Sequence, residues 1–392
     1  MIRVAFPLVG GPDWTGTGIH NYLVNLMRVL TEHVSDRVQP VLFAGLDANP
    51  VNIDPFASIP GLEMVRAAEF NDVLEGRRFR EAILLGADRG AESCFRKHRI
   101  DVLFENARFY GWRFSIPTVA WMPDFQHRHL RELFSTAGYW KRDLGFRAQM
   151  LGKRLIMLSS EDSRRDCERF FPQSIGRTAV VRFAVIPSGL CDYTEARAIA
   201  DSYRLPEHFF YLPNQFWKHK NHVVVIEALN LLKQQGHNVV VAATGKPDDY
   251  RHRGHYRKLR SLVDAYQLGD NFRFLGMISR QHVFALMRTC TALLNPSLFE
   301  GWSSTVEEAK SLGVPMLLSN LTVHVEQAEA SAGYFSPSSP EQLAARMAQH
   351  KPVSGAARQE MERAAIAASG KRIRQYAEEF SKAVERATLL YR

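Results

Sequence analysis

The amino-acid sequence predicts an α/β protein built from two Rossmann-like, doubly wound domains that face each other across a cleft. Short apolar runs rich in β-branched residues alternate with segments of helical periodicity, which is the pattern of parallel sheets with crossover helices. This alternation runs through the first half of the chain and starts again in the second. The chain has 392 residues, more than one ordinary core holds, and this length suits two domains of similar size.

The first half begins with a strand and an amphipathic helix. In that helix Ile19, Tyr22, Leu23 and Leu26 recur three and four positions apart, so they lie on one face. A turn-forming Pro-Ser-Gly cluster at 187–189 ends the domain, which we expect to cover residues 1–187. The strands predicted in this half are 2–9, 41–44, 102–105, 118–122, 156–159 and 179–185.

The second half repeats the scheme over residues 188–370. Helices are predicted at 223–235 and 280–288, between strands whose carboxyl ends form the edge where open α/β sheets bind ligands. The tail is rich in Ala, Glu, Arg and Lys, which predicts a helix, and we expect 371–392 to pack back on the first domain. The strands predicted in this half are 209–213, 239–244, 272–275, 293–296 and 315–318.

Composition narrows the class of protein. The net charge is +9, but the excess is divided between both halves, which argues against a nucleic-acid-binding tail. No apolar run reaches the roughly 18 residues of a membrane span, and the start of the chain is typical of a buried strand and not of a leader peptide. Four cysteines lie scattered, which indicates reduced thiols and a cytoplasmic protein; they are Cys94, Cys167, Cys191 and Cys290.

Two stretches, 77–99 and 141–154, are locally basic. We interpret them as ordinary solvated helix faces; the alternative is a surface for phosphate-bearing substrates or for the anionic inner face of the cytoplasmic membrane. Within 139–155 the apolar residues Trp140, Leu144 and Leu151 are interleaved with basic ones. We interpret this segment as a core helix, with peripheral membrane contact as the alternative.

The segment 298–309 is the strongest functional signal. It follows a predicted strand and places Glu300 in the loop and Glu308 on the next helix, eight residues later. Gly301 permits close approach to the backbone, and a Ser-Ser-Thr run opens the helix, where free N–H groups and the helix dipole attract anions. The same run also fits a helix cap, with Ser304 and Glu307 as a capping box, and this alternative remains open.

This segment resembles the Glu-x7-Glu motif of the retaining "glycosyl transferases group 1" family, whose members have the GT-B fold. The resemblance implies that Glu300 contacts the transferred sugar and Glu308 the ribose of the donor. It also implies that backbone groups of the intervening residues hold the sugar and the diphosphate; these are Gly301, Trp302, Ser303, Ser304 and Thr305.

A second segment, 211–222, corresponds to the loop in which the family has its diphosphate-binding residues. Lys220 matches the family's lysine, whereas Asn214 stands where the family has an arginine. The site therefore has one fixed positive charge fewer, and neutralisation of the phosphates depends on Lys220 and helix ends. At the ends of two further strands, Gly245 is expected beside the donor and Met277 beside its base, which main-chain groups would read.

Two segments of the first domain complete the resemblance. The loop 10–18 is similar to the family's glycine-rich loop, with Gly16 and Gly18 on the donor side and Thr17 on the acceptor side. A dehydrogenase is rejected because Asn21 replaces the third glycine of the dinucleotide motif. In the second segment, 120–130, Pro123 replaces the family's histidine, so Asp124 or His127 would contact the reacting sugar or the acceptor.

These patterns predict a retaining glycosyltransferase that moves a hexose from a nucleoside diphosphate sugar to a glycan or lipid-linked acceptor in bacterial polysaccharide synthesis. The residues expected to act in catalysis are Glu300, Lys220 and Asp124. No cofactor or metal is expected, because the sequence has neither an Asp-x-Asp pair nor a His/Cys cluster. A nucleotide-sugar epimerase or hydrolase, and a non-catalytic sugar-nucleotide-binding subunit, are the alternatives.

Overall fold

The computed structural model describes residues 1–8, 18–106, 108–187, 190–249, 251–353 and 355–391. The chain divides into two compact units. Unit 1 contains 1–125, 136–184 and 371–392, and unit 2 contains 126–135 and 185–370. The chain thus enters unit 2 for ten residues after position 125 before it completes unit 1.

Unit 1 is built on a seven-stranded parallel sheet in the order β3-β2-β1-β4-β5-β6-β7. Its strands are β1 (Ile2–Pro7), β2 (Val38–Ala44), β3 (Glu63–Arg66), β4 (Val102–Glu105), β5 (Thr118–Trp121), β6 (Leu155–Leu158) and β7 (Thr178–Val180). The helices of this part of the chain are α1 (Gly18–His33), α2 (Pro50–Ala57), α3 (Glu75–Leu84), α4 (Arg89–Lys97), α5 (Gln126–His129, which belongs to unit 2), α6 (Thr136–Gln149) and α7 (Glu161–Phe170).

Unit 2 is built on a six-stranded parallel sheet in the order β10-β9-β8-β11-β12-β13. Its strands are β8 (Phe210–Leu212), β9 (Val241–Thr244), β10 (Phe272–Gly276), β11 (Ala292–Asn295), β12 (Met316–Ser319) and β13 (Ala332–Phe335). Its helices are α8 (Tyr193–Ser202), α9 (His222–Gln234), α10 (His255–Ala265), α11 (Arg280–Thr289), α12 (Ser304–Ser311), α13 (Thr322–Ala328) and α14 (Pro340–Gln349). The last helix, α15 (Gly355–Leu390), begins in unit 2 and ends in unit 1.

Both faces of the sheet in unit 2 are buried, as parallel sheets require. Phe210 and Leu212 of β8 point to the apolar cluster that α9 covers, whereas Tyr211 between them points to the opposite cluster with Val306 of α12. This alternation follows from the two-residue period of a strand. Packing on both faces therefore fixes the position of β8, and packing on one of them fixes α12 against it.

Each sheet reverses its strand order once, between β1 and β4 in unit 1 and between β8 and β11 in unit 2. At such a reversal the connecting helices leave on opposite faces, and a crevice opens beyond the carboxyl ends of the two strands. In unit 2 this edge carries the loops that follow Leu212 and Asn295. The fold thus selects one edge of the sheet for ligand binding.

The predicted α/β class and the eleven predicted strands are confirmed with shifted ends, and two short strands, β3 and β13, were missed. The interpretation of 139–155 as a core helix is wrong. In α6 and the turn after it, Trp140, Leu144 and Leu151 are 51%, 58% and 49% exposed. Within the described residues, no helix combines the length and apolar character needed to cross a membrane.

Candidate functional site

The candidate site lies where β8 and β11 of unit 2 end side by side. Asn214 follows β8 and Asn295 ends β11; the two side chains are 3% and 0% exposed, and the Asn214 amide donates to Oδ1 of Asn295 over 3.3 Å. Ser297 donates to the same oxygen over 2.7 Å. Thr305 of α12 donates to Oδ1 of Asn214 over 3.5 Å. A buried amide network therefore joins the loop after β8 to the loop and helix after β11.

Lys220 and Glu300 meet in front of this network. The Nζ atom of Lys220 lies 2.6 Å from Oε1 of Glu300, and their side chains are 16% and 10% exposed. Ser297 also donates to Oε1 of Glu300, over 2.6 Å. Because both contacts use Oε1, the other carboxylate oxygen is left without a hydrogen bond inside the described ranges. The pair thus presents an ammonium group and a carboxylate oxygen at the same place, as a ligand with phosphates and hydroxyl groups requires.

The start of α12 is fixed from several sides. Ser303 caps the helix by accepting from the N–H of Val306 over 3.4 Å, and Asn295 donates to the Ser303 hydroxyl over 2.9 Å. Gln327 of α13 accepts from the N–H of Ser303 over 3.1 Å and donates to its carbonyl over 2.8 Å. Gln327 donates as well to buried Glu307, over 3.0 Å. These bonds hold the helix start in one place beside Glu300, and they confirm that the helix opens at the Ser-Ser-Thr run.

Glu308 lies one turn into α12 and forms an ion pair with Arg280, the first residue of α11. The Nη2–Oε1 distance is 3.1 Å, and the guanidinium lies 4.9 Å from the ring centre of Phe284. Burial raises the pKa of Glu308, and the charge and hydrogen bond of Arg280 oppose that rise. Arg280 therefore helps to keep a buried acceptor group ionised. No local motif indicates this ion pair, because its two residues are 28 positions apart on two different helices.

Gly245 and Met277 occupy the ends of β9 and β10. A side chain at Gly245, where φ is +150°, would lie 2.5 Å from the carbonyl oxygen of Asn214, so glycine is needed for the loops after β8 and β9 to pass each other. Its N–H donates to the carbonyl of Gly276 over 2.9 Å. Met277 is 63% exposed. Both stand at the carboxyl edge of the same sheet as Lys220 and Glu300.

The remaining predicted site residues are placed as follows. Gly18 is the first residue of α1, whereas Gly16 and Thr17 lie outside the described residues. Asp124 belongs to unit 1 and accepts from Nη2 of Arg142 over 2.7 Å. His127 belongs to unit 2 and is fully buried. Their predicted roles beside the sugar and the acceptor stay predictions.

Two polar residues near the site escaped the sequence analysis. Arg251 donates to the side-chain oxygen of Gln126 over 2.8 Å and lies over the rings of Phe134 and Trp217, at 5.2 and 5.1 Å from their centres. It thereby secures the 126–135 segment within unit 2. His324 of α13 is buried, which lowers its pKa, and its Nδ1 lies 2.8 Å from the carbonyl oxygen of Ser319. Neither had a recognisable motif.

Comparison with known proteins gives a family match for most of unit 2. Residues 197–366 match the model of the family described as glycosyl transferases group 1. This part of the chain is therefore similar to that family. It contains Lys220, Glu300 and Glu308. The match therefore covers every element of the amide network and of the two ion pairs described above.

One named relative matches part of the chain. The serotype-specific mannosyltransferase WbdA of Escherichia coli is 30% identical over 146 residues, a match that covers 36% of this chain and 17% of WbdA. The chain thus spans only a small part of the length of WbdA.

Solved structures resemble the whole chain. A glycosyltransferase from Rickettsia africae ESF-5 has a TM-score of 0.69 at 12% identity over 98% of both chains. Anabaena Alr3699/HepE, solved in complex with UDP and glucose, has a TM-score of 0.68 at 14% identity, over 98% of this chain and all of the other. At such identities the likeness establishes the fold, and the prediction of two Rossmann-like units of the GT-B class is confirmed.

Proposed function

We propose that this protein is a retaining glycosyltransferase that moves a hexose from a nucleoside diphosphate sugar to a glycan or lipid-linked acceptor in bacterial polysaccharide synthesis. The observation that carries the proposal is the Lys220–Glu300 pair, 2.6 Å apart beside the fixed start of α12. The family match over 197–366 and the complex of the Anabaena protein with UDP and glucose support it. The name of the E. coli relative adds mannose to the candidate sugars.

The chemistry assigns a task to each group. When the bond between the sugar carbon and the diphosphate oxygen breaks, the leaving diphosphate takes the electron pair and gains negative charge. Lys220 and the N–H groups at the start of α12 stabilise that charge. Glu300 accepts hydrogen bonds from sugar hydroxyls and so orients the ring, while Glu308 accepts from the ribose hydroxyls.

The acceptor completes the reaction. Its hydroxyl oxygen bonds to the sugar carbon on the face that the diphosphate leaves, and its proton passes to the departing phosphate oxygen, as the family resemblance implies. No side-chain nucleophile is needed in this scheme. A metal ion is also unnecessary to the scheme, because Lys220 and the helix start supply the positive charge.

The first prediction concerns the two paired residues. Purified protein is incubated with UDP-glucose, UDP-galactose and GDP-mannose and with lipid-linked acceptors from a bacterial membrane extract, and products are identified by mass spectrometry. Glu300→Gln and Lys220→Ala are each expected to lower kcat/KM at least tenfold, about 1.4 kcal/mol, because each removes an interaction with the sugar or the leaving group. Exposed Glu207→Gln and Lys258→Ala serve as matched controls.

The possible outcomes separate the alternatives. Wild-type rates in both site variants would remove the proposed site. Full turnover of donor without any acceptor would favour a hydrolase or epimerase, and donor binding without transfer to any acceptor would favour a non-catalytic subunit.

A further inference from the structure

Unit 1 exposes large apolar side chains on neighbouring parts of its surface. On α6, Trp140 and Leu144 are four residues apart, so they lie on one side of the helix, and exposed Leu151 follows in the turn after it. Leu84 at the end of α3 and Leu85 after it are 77% and 54% exposed. Single exposed apolar residues are common on protein surfaces. A group of large ones on neighbouring segments is unusual and marks a surface that contacts something else.

The loop that carries Trp112 links these two groups. A methyl group added at Gly86, next to Leu85, would lie 3.1 Å from the indole of Trp112. A methyl group added at Gly152, next to Leu151, would lie 3.0 Å from the carbonyl oxygen of Trp112. Trp112 is itself 38% exposed. We therefore treat these side chains as one surface, the apolar face, consisting of Leu84, Leu85, Trp112, Trp140, Leu144 and Leu151.

Basic residues border this face. Lys141, Lys153 and Arg113 adjoin its tryptophans and leucines in sequence, are exposed, and form no ion pair within the described ranges. The one acidic residue in 139–155, Asp143, is buried and accepts from Nε of Arg147 over 2.8 Å. The α6 part of the face consequently combines apolar contact area with uncompensated positive charge.

We propose that the apolar face docks on the surface of an anionic lipid bilayer. Tryptophan and leucine would enter the boundary between headgroups and acyl chains, and lysine and arginine would contact the anionic headgroups. A second copy of the chain fits the face poorly, because a twofold contact would bring two faces of the same positive charge together. The proposal concerns location and does not depend on the reaction proposed above.

The test measures binding to vesicles by sedimentation. Wild-type protein is expected to bind vesicles of phosphatidylcholine with phosphatidylglycerol, to bind pure phosphatidylcholine at least tenfold more weakly, and to lose binding at high salt. The variants Trp140→Glu with Leu144→Glu, and Lys141→Glu with Lys153→Glu, are each expected to weaken binding at least tenfold. Val51→Glu on α2 is the matched control, since Val51 is 56% exposed and lies outside the face.

Two further measurements make the result decisive. Thermal unfolding is expected to be unchanged in all variants, because the altered side chains are exposed. Trp140→Phe is expected to keep vesicle binding while reducing the quenching of tryptophan fluorescence by brominated lipids. Equal binding of wild type and the double variants would overturn the proposal, and so would a dimer in light scattering that only the face variants lose.

Discussion

At the scale of single residues, the pair of Arg280 and Glu308 determines the charge of the carboxylate proposed to bind the ribose. Glu308 must be ionised to accept two hydroxyl hydrogens, yet its burial raises its pKa. The guanidinium 3.1 Å away lowers that pKa again. Nearby Tyr211 is also buried, and burial raises the pKa of its hydroxyl above the ordinary value of 10.0, so it remains uncharged. Arg280 therefore acts as a positioning residue through the charge of Glu308.

This argument predicts a shifted pH profile for Arg280→Ala. Without the arginine the pKa of Glu308 rises further, so the carboxylate becomes protonated at a higher pH as the solution is acidified. The donor KM is expected to start rising at a higher pH than in the wild type, by more than tenfold at the acid end. Arg280→Lys, which keeps the charge, should restore most of the difference. Profiles of identical shape would contradict the role.

At the scale of elements, the site depends on how α12 and α13 are joined. Gln327 satisfies the N–H and the carbonyl of Ser303 and one oxygen of Glu307, and all three residues are buried. Buried polar groups without partners cost about 1–3 kcal/mol each. One amide side chain thus fixes both the start of α12 and the carboxylate inside it.

Gln327→Ala is accordingly expected to lower the free energy of unfolding of unit 2 by about 2–3 kcal/mol, and to lower kcat along with it, since the helix start moves. Denaturant unfolding monitored by far-UV circular dichroism gives the first value and the transfer assay the second. Gln342→Ala is the control, because the bond of Gln342 to Ser336 is exposed. A change below 0.5 kcal/mol would mean that other contacts position α12.

The elements also show what a sequence can reveal. The strand before Glu300 and the opening of α12 were predictable, because a buried apolar run, a glycine and a serine cap are local signals. Strands β3 and β13 were missed because each has only four residues, of which one is buried. Arg280, Arg251 and Gln327 were missed for another reason: each acts on a residue that only the tertiary fold brings near.

At the scale of the whole molecule, the two units differ in how burial affects their titratable groups. In unit 2, burial lowers the pKa of His222, His255, His324 and His350. The pKa of His222 falls from 6.5 to about 3. Such groups take up protons when the unit unfolds, so the unfolded state binds more protons at mildly acidic pH. Unit 2 should therefore lose stability as the pH falls below 6.5.

As the pH falls, unit 2 is thus predicted to be destabilised at a higher pH than unit 1. Between pH 6.5 and pH 5, His222 alone lowers the free energy of unfolding by roughly 2 kcal/mol, since each pH unit below the unfolded pKa costs about 1.4 kcal/mol. Hydrogen exchange followed by mass spectrometry should show α9 and β8 losing protection in this range ahead of β1 and β4.

His222→Phe should reduce the pH dependence of unit 2, because a neutral ring replaces the titrating one. The new ring would pack against Phe216, whose ring centre lies 4.6 Å from that of His222. The exposed control His208→Asn should leave it unchanged, and equal pH dependence in wild type and His222→Phe would contradict the argument.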